Sequence, residues 1–149
     1  MRYFFVSFIL LSMILNVKAQ NLLLQSQWNT PFNAPPFDKI KVEHFMPAIQ
    51  EGIRIHNDEI NLIATNRQPA NFSNTIEAIE NAGQMLNRVN TIMNVFTSSN
   101  TSPELQAIDK QASPLLSEHY DAIYMNDRLF QRVKTVYEKR QSLKLTTEQ

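Results

Sequence analysis

The fold of this chain is decided by residues 74–96, whose sequence is NTIEAIENAGQMLNRVNTIMNVF. Asn74 is a typical helix N-cap, and Glu77 stands three residues later, where its side chain can return a hydrogen bond to the cap amide. Apolar residues recur at the spacing of one helix face: Ile76, Ile79, Leu86, Val89, Met93 and Phe96. The stretch therefore predicts one amphipathic helix, with Ala82 and Gly83 inside it, whose apolar stripe packs against a partner helix.

Three further helices are predicted around this one. Residues 43–64 keep one apolar face, and Pro47 is tolerated in the first turn. Ser102 caps a third helix, in which Pro114 should produce a kink or a split. Asn126 caps a fourth helix that extends to about residue 142. Because the chain has only two glycines and no Asn-Gly or Asp-Gly step, tight β-hairpins are disfavoured and an all-α fold of antiparallel helical hairpins is predicted.

The amino terminus differs from the rest of the chain. Arg2 supplies an early positive charge, and residues 3–15 form an apolar run. In Val17-Lys18-Ala19, which follows, the outer position is β-branched and the last position is alanine. This order is typical of a secretion signal, so cleavage between Ala19 and Gln20 is predicted. An uncleaved membrane anchor is the alternative, but a span takes about 20 apolar residues and the run is shorter. The protein is therefore expected to be periplasmic or secreted, without membrane association after cleavage.

Residues 20–41 form a segment of a different kind. It contains Pro31, Pro35 and Pro36 together with aromatic side chains, and it has no sustained period. Because proline fixes φ and lacks an amide donor, we predict an extended arm that lies along the surface of something larger. The predicted division is a signal at 1–19, the arm at 20–41 and a helical region at 42–149.

Composition excludes several classes of function. The chain has no cysteine, which excludes a disulfide framework, thiol catalysis and thiolate metal sites. Without Arg2 and Lys18, the exported part carries 12 basic and 14 acidic residues. Nucleic acid is not an expected partner, since its binding needs a clustered basic face.

The remaining polar residues predict no catalytic or metal-binding site. The three histidines are His44, His56 and His119, whereas a zinc site on one helix takes two histidines four residues apart. Each is interpreted as a capping or packing residue. The acidic pairs Asp58/Glu59 and Glu77/Glu80 are interpreted as exposed helix faces and a capping acid. No glycine-rich phosphate loop and no G-x-S-x-G elbow is present in the sequence.

The carboxyl end predicts a further helix that is not completed. Thr146 and Gln149 have the spacing of a cap and its returning side chain, and the sequence stops there. We therefore expect the chain to be a fragment of a longer protein.

Seven short strings, in order, resemble the start of the thimet-oligopeptidase-like zinc peptidases, and most of all their bacterial peptidyl-dipeptidase and oligopeptidase A branches. They lie at residues 28–32 (WNTPF), 35–41 (PPFDKIK), 43–48 (EHFMPA), 72–78 (FSNTIEA), 102–105 (SPEL), 114–117 (PLLS) and 126–130 (NDRLF). The resemblance covers the chain from about Trp28 to Gln149.

This resemblance implies a larger, two-lobed helical enzyme with a deep channel, of which the present chain forms part of the N-terminal lobe. It implies zinc on an H-E-x-x-H helix with a further Glu ligand, all in the C-terminal half, where the metal activates water to cleave short peptides. The peptidyl-dipeptidase branch releases C-terminal dipeptides. None of those zinc or catalytic residues lies in this chain, which is expected to be inactive alone and to pack against the C-terminal part of the same protein. The alternative is a non-enzymatic exported helical module that binds a partner along the stripe from Ile76 to Phe96.

Overall fold

The computed structural model describes residues 21–143 together with Leu145 and Thr146. The predicted signal, with its cleavage position at Ala19 and Gln20, lies outside these residues, as does the helix predicted to follow Thr146. All regular elements in the described part are helical, so the all-α class is confirmed.

The described residues form five α-helices, joined by short turns except for a longer connection between α1 and α2. The helices are α1 (Phe45–Ala64), α2 (Ala78–Asn81), α3 (Gln84–Ser99), α4 (Pro103–Tyr124) and α5 (Asp127–Lys139). Single 3-10 turns occur at Leu22–Leu24, Pro31–Asn33, Val42–His44 and Arg140–Ser142, and a π-helical turn at Phe72–Glu77 leads into α2. None of the helices in this part of the chain has the length and apolar character that a membrane crossing requires.

The main core lies between α1, α3 and α4. Its fully buried members include Phe45 and Ile49 on α1, Leu86 and Val89 on α3, and Leu105 on α4. A Cβ added at Gly52 of α1 would lie 3.1 Å from the Cα of Leu86, so a glycine permits the close approach of α1 and α3. A second, smaller cluster joins the end of α1 to α5 through Ile60, Ile63, Ala64 and Leu129.

The arm before α1 packs on this core. Leu23 and Trp28 are buried in the same cluster as α1 and α3. The Trp28 indole N–H donates to the Leu22 carbonyl at 2.9 Å, and the side-chain amide of Asn21 donates to the His44 carbonyl at 2.7 Å. The arm thus supplies part of the core of the described region, while Phe32 within it is fully exposed.

The single helix predicted over residues 74–96 is wrong, because the chain breaks between α2 and α3. Ala82 is extended with ψ 155°, and Gly83 is left-handed with φ 73°, a conformation that favours glycine. The N-cap is Asn71 and not Asn74. The Asn71 and Asn74 side chains accept hydrogen bonds from each other's backbone amides at 2.8 and 3.0 Å, so Asn74 occupies the position predicted for Glu77.

The helix starts predicted at Ser102 and Asn126 are confirmed. The Ser102 hydroxyl accepts from the Leu105 amide at 3.2 Å, and the Asn126 side chain accepts from the Leu129 amide at 3.0 Å. Pro114 does not split its helix, since α4 continues through it to Tyr124.

Candidate functional site: a buried histidine pair and an exposed apolar face

Two histidines that are distant in sequence meet between α1 and α4. His56 Nδ1 and His119 Nε2 are 2.9 Å apart, and both residues are buried, with 8% and 4% of their surface exposed. One nitrogen must donate and the other accept, so a single proton lies between the rings. Their separation of 63 residues explains why ligand spacing along one helix did not reveal the pair.

The break between α2 and α3 holds the pair in place. Gly83 lies against the His56 ring so closely that a Cβ at this position would be 2.6–2.9 Å from three of its atoms. The Gly83 amide donates to Glu59 Oε2 at 2.7 Å, which fixes the break to α1 one turn beyond His56. A glycine at the break is therefore needed both for its positive φ and for the space that the imidazole occupies.

The surroundings of the pair favour the neutral imidazoles. Burial lowers the pKa of His56, and the negative charge of Glu59 opposes this in part. Burial also lowers the pKa of His119, and the neighbouring His56 lowers it further. In addition, His119 Nδ1 is buried and has no hydrogen-bond partner among the described residues. The pair is thus a largely buried polar contact, which becomes unfavourable on protonation.

A groove of about 350 Å³ opens beside the pair. It is lined by Gln50, Ile53 and Asn57 of α1 and by Leu115, Glu118, His119 and Ala122 of α4. In residues 21–143 and 145–146, no three His, Asp or Glu side chains come together in a way that could hold a metal ion. A catalytic zinc takes three protein ligands, so the histidine pair does not fit such a centre.

His44, Asp58 and Glu59 each have a structural partner. His44 Nδ1 accepts from the Lys41 amide at 3.1 Å at the turn before α1. Asp58 pairs with Arg54 at 2.7 Å on the exposed side of α1. Glu59 accepts from the Gly83 amide, as described above.

Arg132 forms a buried clamp that sequence patterns did not single out. Its guanidinium donates to the Asn66 carbonyl at 2.8 Å, the Asn74 side-chain oxygen at 2.8 Å and the Thr75 hydroxyl at 3.2 Å. It also reaches the Gln68 carbonyl at 3.2 Å. The clamp ties α5 to the loop after α1 and to the π-helical turn. In the sequence, Arg132 stands in a basic cluster with Lys134, Lys139 and Arg140 whose pattern predicts a solvated helix face, and that prediction is wrong for Arg132, which is buried.

The outer face of α5, defined by Phe130, Val133 and Tyr137, is apolar and open to solvent. Phe130 and Tyr137 are 56% and 61% exposed, and Tyr124 and Met125 at the end of α4 are exposed nearby. Two apolar grooves, of about 350 and 280 Å³, flank Val133 and share it as a wall. By contrast, Leu86, Val89 and Met93 of the stripe predicted to bind a partner are buried in the chain's own core.

Comparison with known proteins finds peptidases. The chain is 42% identical over 122 residues to dipeptidyl carboxypeptidase of Escherichia coli, and 38% identical over 125 residues to the Salmonella typhimurium protein of that name. It is 28% identical over 101 residues to oligopeptidase A of Escherichia coli. These matches cover 82%, 84% and 68% of the chain but 18%, 18% and 15% of the relatives. No family model matches the chain. The resemblance inferred from the seven ordered strings is confirmed.

Proposed function

On the premise that this chain is a relative of dipeptidyl carboxypeptidase and oligopeptidase A, we propose that it is the N-terminal, non-catalytic part of an exported zinc metallopeptidase. The whole protein would hydrolyse short peptides and release C-terminal dipeptides. The observation that supports this most directly is the 42% identity to dipeptidyl carboxypeptidase, which extends over 82% of the chain. The chain spans about a fifth of the length of that relative, so most of the enzyme would lie outside these residues.

The zinc in this proposal belongs to the rest of the protein. It would activate water for attack on the peptide carbonyl. The described residues bring together no three His, Asp or Glu side chains, so in this proposal the zinc ligands come from the continuation of the polypeptide. Their role in the proposal is to form a packed helical wall, in which the core between α1, α3 and α4 and the Arg132 clamp fix the helices relative to one another.

The proposal is tested with the product of the complete gene. The purified full-length protein should release dipeptides from the carboxyl end of short peptides, measured by mass spectrometry, and a chelator should abolish the release until zinc is added. Residues 20–149 alone should show no chelator-sensitive turnover. A complete reading frame without an H-E-x-x-H motif would refute the proposal, and so would chelator-sensitive cleavage by the isolated segment.

Export is tested separately. Amino-terminal sequencing of the protein from the natural host should find Gln20 as the first residue. Ala19→Arg should block processing, because signal peptidase needs a small residue at the position before the cleaved bond. Arg2→Lys, which keeps the charge, serves as the control and should be processed normally. An unprocessed, membrane-bound product of the natural sequence would support the anchor instead.

One observation favours a second candidate function. The exposed outer face of α5 would also suit a non-enzymatic helical module that binds another protein. The two candidates differ in the gene: a module needs no more than the present helices, whereas a peptidase needs a long continuation with a zinc motif. Residues 20–149 that fold alone into a monodisperse, cooperatively melting species would favour the module.

A further inference from the structure

α5 carries apolar residues on two adjoining sides. Leu129 and Val136 are buried against the body of the fold. Phe130, Val133 and Tyr137 follow at the three- and four-residue spacing of a second stripe, in which Phe130 and Tyr137 are exposed and Val133 is half-buried between them. Polar residues such as Gln131 and Glu138 occupy the rest of the circumference. A helix with this much exposed apolar surface calls for a second helical neighbour.

The shape of the surface suits a helix. Val133 forms a ridge between two grooves of about 350 and 280 Å³, and each groove is lined almost wholly by apolar side chains of α5 and its neighbours. Grooves on either side of a side chain are what rows of side chains on a second helix fill when two helices pack.

The position of the chain's last described residues indicates which segment lies there. Leu143 and Leu145 line the first groove, so the polypeptide that continues after them starts at the edge of this surface. A tethered segment also has a high effective concentration at a nearby site. The relatives are more than five times as long as the part they share with this chain, so a continuation has ample length.

The positive charge of Arg140 at the first groove sets a second requirement, on the charge of the segment that binds there. The Arg140 guanidinium lies 3.9 Å from the centre of the Tyr137 ring and lines the first groove. An acidic residue next to the apolar stripe of the incoming helix would pair with this cation.

From these observations we propose that the outer face of α5 is the docking surface for an amphipathic helix of the polypeptide that follows Gln149 in the full-length protein. The helix presents an apolar stripe to Phe130, Val133 and Tyr137 and an acidic residue to Arg140. This inference rests on the proposed function in one respect, namely that the chain is part of a longer protein.

Photo-cross-linking in the full-length protein tests the proposal. Phe130 is replaced by p-benzoylphenylalanine, and Gln131 by the same residue as a matched control, since it is exposed and lies about 100° further around the helix. Irradiation should join position 130 to a peptide beyond residue 149 within the same molecule, and the control should lack this product. Phe130→Glu should also accelerate proteolytic cleavage between residues 20–149 and the polypeptide that follows them, whereas Gln131→Glu should not.

Each outcome decides between the possibilities. Cross-links from position 130 to a second copy, to another protein or to nothing would overturn the docking inference, and so would a reading frame that ends near Gln149. Chelator-sensitive peptidase activity is measured on the same preparation. Activity without the cross-link overturns the docking inference and leaves the proposed function standing. The cross-link without activity overturns the proposed function and leaves the docking inference standing.

Discussion

An alanine at position 83 would place a methyl group against the ring of His56. The backbone there is left-handed, with φ 73°, which costs a residue with a Cβ about 1–2 kcal/mol relative to glycine. The Cβ would also lie 2.6–2.9 Å from three ring atoms, so the imidazole must move and the 2.9 Å contact with His119 is lost. Leaving a buried polar group unpaired costs about 1–3 kcal/mol. Together these effects predict that Gly83→Ala lowers the free energy of unfolding by about 2–5 kcal/mol.

Urea denaturation followed by helical circular dichroism measures this loss. Gln84→Ala is the matched control, since Gln84 is the next residue and is exposed, and a change within about 0.5 kcal/mol is expected. Combining Gly83→Ala with His56→Ala separates the two effects, because the clash disappears and the backbone cost remains. The double variant should therefore be more stable than the sum of the single changes predicts, by about 1–3 kcal/mol. A loss below about 1 kcal/mol for Gly83→Ala, or additive single effects, would refute the reasoning.

Three other perturbations follow from contacts described above. Because burial lowers the pKa of His56 and of His119, the unfolded chain takes up protons more readily than the folded one. Melting temperature should therefore be highest above the ordinary histidine pKa of about 6.5 and fall as the pH drops below it. His119→Gln should reduce that fall, and an equal slope of melting temperature against pH in the variant would contradict the reasoning. Arg132→Met removes the guanidinium from five oxygens of the loop after α1 and the π-helical turn, and should lower the free energy of unfolding by about 3 kcal/mol. Arg132→Lys should not restore this stability, since an ammonium cannot fork between the oxygens; full rescue in urea melts would show that charge alone matters. Ser102→Ala should lower the free energy of unfolding by about 1 kcal/mol in the same melts, because α4 loses its cap. Ser117 is exposed, so Ser117→Ala should lower it by about 0.5 kcal/mol or less, and equal losses would contradict the capping role.

The elements that the sequence predicted well are those controlled by neighbours along the chain. The caps at Ser102 and Asn126 depend on an amide three residues away, and the helices that follow them begin where expected. The apolar spacing along residues 43–64 likewise reflects one buried side of α1.

The features that sequence reasoning missed depend on residues far apart. The break at Gly83 is favoured by the His56 ring and by Glu59, 24 residues earlier, and the apolar period over residues 74–96 concealed it. A glycine within a helical pattern was the one local signal of a helix end. The histidine pair had no local signal, because its members come from different helices. The solvent-facing stripe on α5 was visible in the spacing of Phe130, Val133 and Tyr137, but only the structure shows which apolar side is buried.

The Arg132 clamp also constrains the order in which the protein can assemble. The carbonyl of Asn66 receives its donor from a residue 66 positions later in the chain. At a synthesis rate of about 5–20 residues per second, that donor emerges about 3–13 s after its acceptor. During this interval the loop after α1 and the π-helical turn lack the group that ties them together, so an early nascent chain is left with α1 but without a finished scaffold around it. This region therefore completes its packing only after α5 has been synthesised. Until then, the Asn66 carbonyl has no Arg132 guanidinium to pair with.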